Sequence, residues 1–358
     1  MTEIYQNAPA FLHERELLLN CAACDGDEAV RAQFGRLAAR SLDWHWVLTT
    51  AESQGVLPLL RARLEEVCPA APPVSVRNQL SLACVANAAH NLRMTGELLA
   101  VLQALEADGI ESVPFKGPAL ANQLFGNVAM RQFRDLDILV RPADVDRARA
   151  VLLARGYRPE FELTPKREAE YLRSEHAFQF KRQDGAFIVE LHWSFGSRDQ
   201  AFPLSAQSVW SRLGQAKFQS RIVHALSSED LLIYLAMHGA KHRWDRLEWI
   251  CSLAQLIRVK PDLDWSVVFS RAQRTGALRG VRLALLLARD ICAAPLPPLV
   301  EEQTVVDPAV REMSSEVREN LFATDHSYQS SELRRQAFYI RTRERMADRA
   351  RIVLFYWV

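Results

Sequence analysis

The segment Asp135-Leu136-Asp137-Ile138-Leu139-Val140, closed by Arg141-Pro142, reads as a β-strand with two acidic residues at its start. Apolar and branched residues favour a pleated, packed conformation, and a proline ends the ladder because it has no amide hydrogen to donate. Side chains two residues apart on a strand share a face, so Asp135 and Asp137 converge on one spot. Neighbouring carboxylates repel each other unless a cation lies between them, and hard oxygen donors suit Mg²⁺ carrying a nucleotide's phosphates. The pair alone is common on surface strands; its neighbours give it weight.

Upstream, residues 110–115 read as a strand and Lys116-Gly117-Pro118 as a turn into a short helix reaching Leu124. Glycine lets the backbone approach a ligand there, and the start of the helix presents free amide donors to an anion. Lys116 and Gly117 thus become candidates for holding a triphosphate. Arg131 and Arg134 precede the aspartates, and their forked donors match phosphate oxygens, the alternative being an ion pair with one of the carboxylates. Downstream, Phe187-Ile188-Val189-Glu190-Leu191-His192-Trp193 is an apolar strand containing a carboxylate that is costly to bury without a metal or a basic partner. His192 shares the face of Glu190 and would orient it or contact an acceptor; His176, opening the preceding strand, has the same two readings beside a structural one.

Elsewhere the pattern is largely helical. Residues 11–67 show helical spacing of apolar positions, Pro69-Ala70-Ala71-Pro72-Pro73 breaks it, and a long helix is expected over 76–107 with Asp108-Gly109 as its stop. A helix should span 142–155, strands 176–181 and 186–193 should form a hairpin around Gln183-Asp184-Gly185, and a strand is expected at 218–225. From 227 to 292 everything reads as helix. The expected class is therefore α+β: a small mixed sheet with N-terminal helices and a C-terminal all-α lobe. The corresponding division is 1–108, 109–226 and 227–358. The arginines at 334, 335, 341, 343, 345, 349 and 351 read as a solvated helical face rather than an anion site, with 352–358 packed on the body.

Composition narrows the function classes. With 358 residues, 49% apolar, 24% charged and a net charge of +1, the chain has the make-up of a folded globular protein rather than a coat for nucleic acid or anionic membranes. Long nucleic acid is accordingly not expected as a partner. The N-terminal residues lack the charge pattern of a secretory signal, so a cytoplasmic location is expected. The charge-free run at 78–92 is too short for a span and is broken by Asn87, His90 and Asn91. Six scattered cysteines, with Cys21-x-x-Cys24 the one close pair, suggest reduced structural thiols over a redox or metal role.

Taken in order, Lys116-Gly117, Arg134-Asp135-Leu136-Asp137-Ile138-Leu139-Val140 and Val189-Glu190-Leu191-His192-Trp193 resemble the bacterial "uncharacterised nucleotidyltransferase" family, a branch of the DNA polymerase beta-like superfamily. The similarity spans roughly residues 12–286 and includes His238-x-x-x-His242-x-Trp244-x-x-Leu247-x-Trp249. The resemblance implies that Asp135, Asp137 and Glu190 bind two Mg²⁺ ions, with Mn²⁺ as an alternative, and that Gly117 marks a phosphate-binding turn. It further implies in-line attack of an acceptor hydroxyl on the α-phosphorus of a nucleoside triphosphate, the acceptor being a small molecule, a peptide or a protein. Two departures stand out. The superfamily's Gly-Ser turn is here Gly117-Pro118, which bears on the phosphate contact, and Ser252 stands where related sequences often carry an aspartate. The first departure motivates a competing reading, a non-catalytic nucleotide-binding or interaction protein with the same fold.

His238 and His242 lie four apart, hence on one helical face, but the glutamate of a zinc-protease helix is missing from His238-Gly239-Ala240-Lys241-His242. Substrate contact, supported by Lys241 beside them, and structural hydrogen bonding are the two main alternatives. Trp244 and Trp249 have the spacing of helix-packing residues, with base or sugar stacking as the other option.

Overall fold

The computed structural model describes residues 11–23, 28–322 and 332–357. Its centre is a five-stranded sheet built from β1 (Ser112–Pro114), β2 (Leu136–Val140), β3 (Tyr157–Pro159), β4 (Ala177–Arg182) and β5 (Ile188–His192) in the order β1-β2-β5-β4-β3. Strands β2 and β5 are parallel; the other neighbours are antiparallel. The expected mixed sheet is thus present, and β4 and β5 form the expected hairpin, with Gly185 at a φ of 71° in its turn. The parallel pair needs a crossover, which runs through α7 (Val145–Ala154), β3, α8 (Pro165–Ser174) and β4.

Alternation along β2 sorts its side chains between two environments. Leu136, Ile138 and Val140, all fully buried, join Val189, Leu191, Phe178 and Phe180 in a core against α7 and the C-terminal half of α5 (Val74–Ala107). Asp137 and Leu139 point the opposite way, with Glu190 and His192 beside them on β5. A slip of one residue would carry Asp137 into the apolar core and Ile138 into the cleft, so the apolar pattern itself fixes the register of the carboxylates.

The opposite side of the sheet is covered by helices from both ends of the chain. These are α1 (Leu12–Ala22), α2 (Glu28–Ala38), α3 (Trp44–Ser53), α4 (Leu57–Val67) and α6 (Gly117–Phe125), then α10 (Ser228–Lys241), α11 (Leu247–Val259), α12 (Trp265–Arg274), α13 (Leu278–Cys292), α14 (Pro298–Thr304) and α15 (Pro308–Asn320). Leu17, Phe34 and Leu60 from the N-terminal set share one apolar core with Leu232, Leu253 and Leu285 from the C-terminal set. A short α9 (Ala206–Trp210) leads into a separate hairpin.

Three expectations need correction. The single strand expected at 218–225 is instead the hairpin β6 (Gly214–Phe218) and β7 (Arg221–Ala225), reversed at Gln219, whose φ is 53°. No glycine or asparagine signals that turn. The basic tail is not simply a solvated face: Arg343 is 1% exposed, pairs with Asp348 at 2.7 Å and donates to the Thr275 carbonyl, while Arg341 reaches Glu312 and Glu316. Those pairs dock the helix at Glu332–Thr342 against α15 and the loop before α13, and Ile352 of the last helix is buried. Finally, β3 and α8 had no sequence counterpart, because β3 has three residues and α8 buries none of its side chains. Cys68, Cys84, Cys251 and Cys292 are free thiols, whereas Cys24 lies outside the described residues. Among the described residues no helix is long and apolar enough to cross a membrane.

Candidate active site

The loop before β2 is held from behind by the polar residues that interrupt the charge-free run within the long helix α5. Asn87 donates to the carbonyls of Ala129 and Arg131, Asn91 to those of Val128 and Arg131 at 2.7 Å each, and His90 Nε2 lies 3.1 Å from the Phe133 carbonyl. Spacings of three and four residues put all three on one face of α5. Asn91 is fully buried, so Asn91→Ala leaves the Val128 carbonyl without its side-chain donor and the Arg131 carbonyl with Asn87 alone. The expected cost is about 1–3 kcal/mol, read as a lower urea midpoint, with faster amide exchange confined to residues 128–133.

Gly117 turns the chain from β1 into α6 at a φ of 50°, and a Cβ built on it would sit 3.0 Å from the Asp135 carbonyl oxygen. Only glycine allows both the left-handed backbone and that close approach. The turn therefore brings Lys116 against β2, where its Nζ lies 2.8 Å from Asp137 Oδ1. Pro118 follows within the first turn of α6.

Strand register sets the acidic centre. Asp137 pairs with Glu190 across the parallel β2–β5 ladder, and His192 Nε2 lies 3.1 Å from Asp137 Oδ1 and 3.2 Å from Glu190 Oε2. Asp137 is 2% exposed, and its second oxygen, Oδ2, is buried without a hydrogen-bond donor. Burial opposes its ionisation, but the Lys116 ammonium and the His192 ring outweigh that and hold the carboxyl below the usual range. The same contacts raise Lys116 and His192 above their ordinary values despite burial. Asp135 lies one residue outside β2; burial first and the Asp137 charge second push it up to about 6. Two carboxylates that repel each other at the wall of a cleft are poised to accept a cation.

The opposing wall comes from α10 and α11. Tyr234, His238 and His242 repeat every fourth residue on one face of α10, with successive ring centroids 5.7 and 4.8 Å apart, and Trp249 lies 5.5 and 5.2 Å from the two histidines. Burial, then the charges of Lys241 and Lys116, lower His242 to about 3; burial lowers His238 well below its ordinary range and His176 to about 3. All three imidazoles are therefore neutral at physiological pH. For His242 the linkage sign is definite: between about 6.5 and about 3 the unfolded chain binds a proton that the folded chain does not. Stability is present above pH 6.5 and is lost as pH falls through that window. His242→Asn is expected to flatten the fall of the melting temperature between pH 6.5 and 4, measured by thermal scans.

Arg131 differs from the sequence expectation in its partner. It is 8% exposed and pairs with Glu248 of α11, not with either aspartate. Arg134 is exposed at the rim. Trp244 is fully buried and stacked so tightly on Gly239 that a Cβ there would meet its ring at 2.5 Å, whereas Trp249 faces the cleft. Ser252, the second departure, also lines the cleft and its hydroxyl has no protein partner.

These elements form a cavity of about 1300 Å³; the twelve residues named from sequence as catalytic, nucleotide-binding or substrate-contact candidates line it, as does Trp249, whereas Trp244 does not. Sequence reasoning missed Tyr234 and Glu248. Extending the four-residue spacing of His238 and His242 backward by one step would have found the tyrosine; nothing local marks Glu248. Among the described residues one group of three metal-competent side chains occurs, Asp137, Glu190 and His192, whose donor atoms all lie within 4.8 Å of one another.

A small mixed sheet carrying paired carboxylates beside a lysine–glycine turn, facing a helical wall across a cleft, has the layout of the nucleotidyltransferase fold. The family described as "Uncharacterised nucleotidyltransferase" matches residues 40–293, and the chain belongs to that family. Solved structures with some likeness include the antibiotic-resistance factor ANT(2'')-Ia, at 12% identity over 67% of this chain and 100% of that one with a TM-score of 0.30. Another is an antigenic nucleotidyltransferase-like protein from Paracoccidioides brasiliensis, at 15% identity over 60% of this chain and 92% of that one with a TM-score of 0.37. No curated protein matches the sequence.

Proposed function

We propose that this chain moves a nucleoside monophosphate from a nucleoside triphosphate to a hydroxyl of a small-molecule or peptide/protein acceptor, in the cavity between the sheet and α10–α11. The observation that carries this reading is the register of Asp137 on Glu190, with Lys116 and the Gly117 turn meeting at the same point. Family membership supports the reaction class.

The residues fit divalent ions. Asp137 Oδ2 is a buried acceptor without a donor, and the surrounding donors are mainly the carboxylate oxygens that Mg²⁺ or Mn²⁺ prefer. Asp135, Asp137 and Glu190 would hold them, two ions being the expectation. Once bound, such ions neutralise phosphate charge and lower the pKa of an acceptor hydroxyl.

The remaining work falls to the protein. Lys116 and the rim residue Arg134 balance the triphosphate charge, and because Pro118 has no amide hydrogen, the Gly117 and Ala119 amides are the anion donors at the start of α6. Glu190, whose side chain keeps 29% exposure toward the cleft, takes the acceptor's proton as the new oxygen–phosphorus bond forms. The bond between the α-phosphorus and its bridging oxygen breaks, and pyrophosphate leaves. Trp249 and the neutral His238 and His242 offer flat, uncharged surface for the acceptor or the base.

Incubation with cell extract and a triphosphate labelled at the α-phosphate should yield a labelled product that the γ-labelled triphosphate does not. Transfer of the γ-label instead would replace this reading with phosphoryl transfer.

A further inference from the structure

We propose that His192 is itself a ligand of the divalent ion, through Nε2, so that the centre is a mixed nitrogen–oxygen site that selects Mn²⁺ over Mg²⁺. The proposal rests on the carboxylate site described above and adds a donor that the three acidic residues do not supply.

The geometry is that of a ligand set. His192 follows Glu190 by two residues on β5, so both project from the same face toward Asp137. The separations of 3.1 and 3.2 Å from Nε2 to the two carboxylate oxygens match neighbouring donors around one ion. Bonds of about 2.0–2.2 Å place adjacent donors of an octahedron about 2.8–3.1 Å apart. The ring is 3% exposed, cannot swing into solvent, and is held edge-on by Phe115 at a centroid distance of 5.1 Å, with no protein partner on Nδ1. Independently, the buried Asp137 Oδ2 faces no donor, whereas Oδ1 accepts from Lys116, and with the ring proton on Nδ1 the Nε2 lone pair is turned toward the carboxylates. That leaves an oxygen of the same carboxylate open to a cation while Lys116 keeps its own contact.

Donor chemistry sets the preference. Mg²⁺ is reluctant to lose water and favours all-oxygen surroundings, whereas a nitrogen donor is accepted by the first-row transition ions; Mn²⁺ binds such a donor least strongly of that series, yet it shares the carboxylate preference of Mg²⁺ and parts from it at the imidazole. A His192 that merely orients Glu190 by hydrogen bonding would confer no such preference.

The test is pulsed electron paramagnetic resonance on Mn²⁺ added to the whole chain without nucleotide. Wild type should show nitrogen modulation from a directly bound imidazole, altered when histidine is ¹⁵N-labelled, and equimolar Mg²⁺ should leave most of the Mn²⁺ bound. His192→Gln should lose the modulation and bind Mn²⁺ about tenfold or more weakly. Bound Mn²⁺ with oxygen ligands alone in wild type would overturn the proposal and leave the carboxylate site standing. Absence of Mn²⁺ binding at millimolar concentration would overturn both. The wild-type spectrum decides even if His192→Gln does not fold.

Discussion

Asp137→Asn should lower nucleotidyl transfer on the order of 10³-fold while the chain keeps its fold. The substitution preserves shape and one acceptor oxygen but removes the charge at the centre of the site, where Lys116, His192 and the expected ions all converge. Removing one charge-stabilising group from an active site typically costs about 10²–10³ in turnover, and here the same group would also anchor the ions. The unfolding transition should persist, because Lys116 keeps 23% of its side-chain surface exposed and can be solvated when its partner is neutral. Steady-state turnover and circular dichroism on the same preparation check both halves. Near-normal turnover would show that the metal site has been assigned to the wrong strand.

Arg131→Ala is expected to act on stability first, at about 3–5 kcal/mol in a denaturant titration. Glu248 is 3% exposed, and its remaining cation, Arg246, stands 3.7 Å away, so removing Arg131 leaves a buried carboxylate poorly compensated. The carboxylate has little room to relocate, since a Cβ at Gly55 would come within 2.3 Å of Glu248 Oε2. The double substitution Arg131→Met with Glu248→Gln should recover most of the loss, because it removes the unpaired charge. If Arg131 instead acted as a free phosphate ligand, the single variant would raise the Michaelis constant for the triphosphate and leave the unfolding midpoint unchanged.

How far each feature could be read in sequence follows from how local its cause is. Strand β2 was legible because Leu136, Ile138 and Val140 alternate with Asp135 and Asp137, and that alternation is the physical device that separates core from cleft. The Lys116-Gly117 turn was legible for the same reason: the left-handed backbone at Gly117 is a property of one residue. Asn87, His90 and Asn91 were visible only as interruptions of an apolar run; that they grip the loop at 128–133 depends on contacts across some forty residues. The Arg131–Glu248 pair spans 117 residues, and neither spacing nor composition encodes it. Amphipathic faces likewise reveal that α1–α4 and α10–α15 bury something, not that they bury one another. Arg343 shows the limit most clearly, since an arginine-rich helix looks solvated until Asp348 and the Thr275 carbonyl are brought to one of its members.

The central claim, that the β2–β5 carboxylates support chemistry on a nucleoside triphosphate, is tested most directly by offering the purified chain each of the four ribonucleoside triphosphates with Mg²⁺ or Mn²⁺, alone and with cell extract, and following pyrophosphate. Release of pyrophosphate with at least one of them, abolished in Asp137→Asn, is the predicted result. Tight binding of a triphosphate without pyrophosphate release under any of these conditions would contradict it and leave a nucleotide-binding protein without turnover.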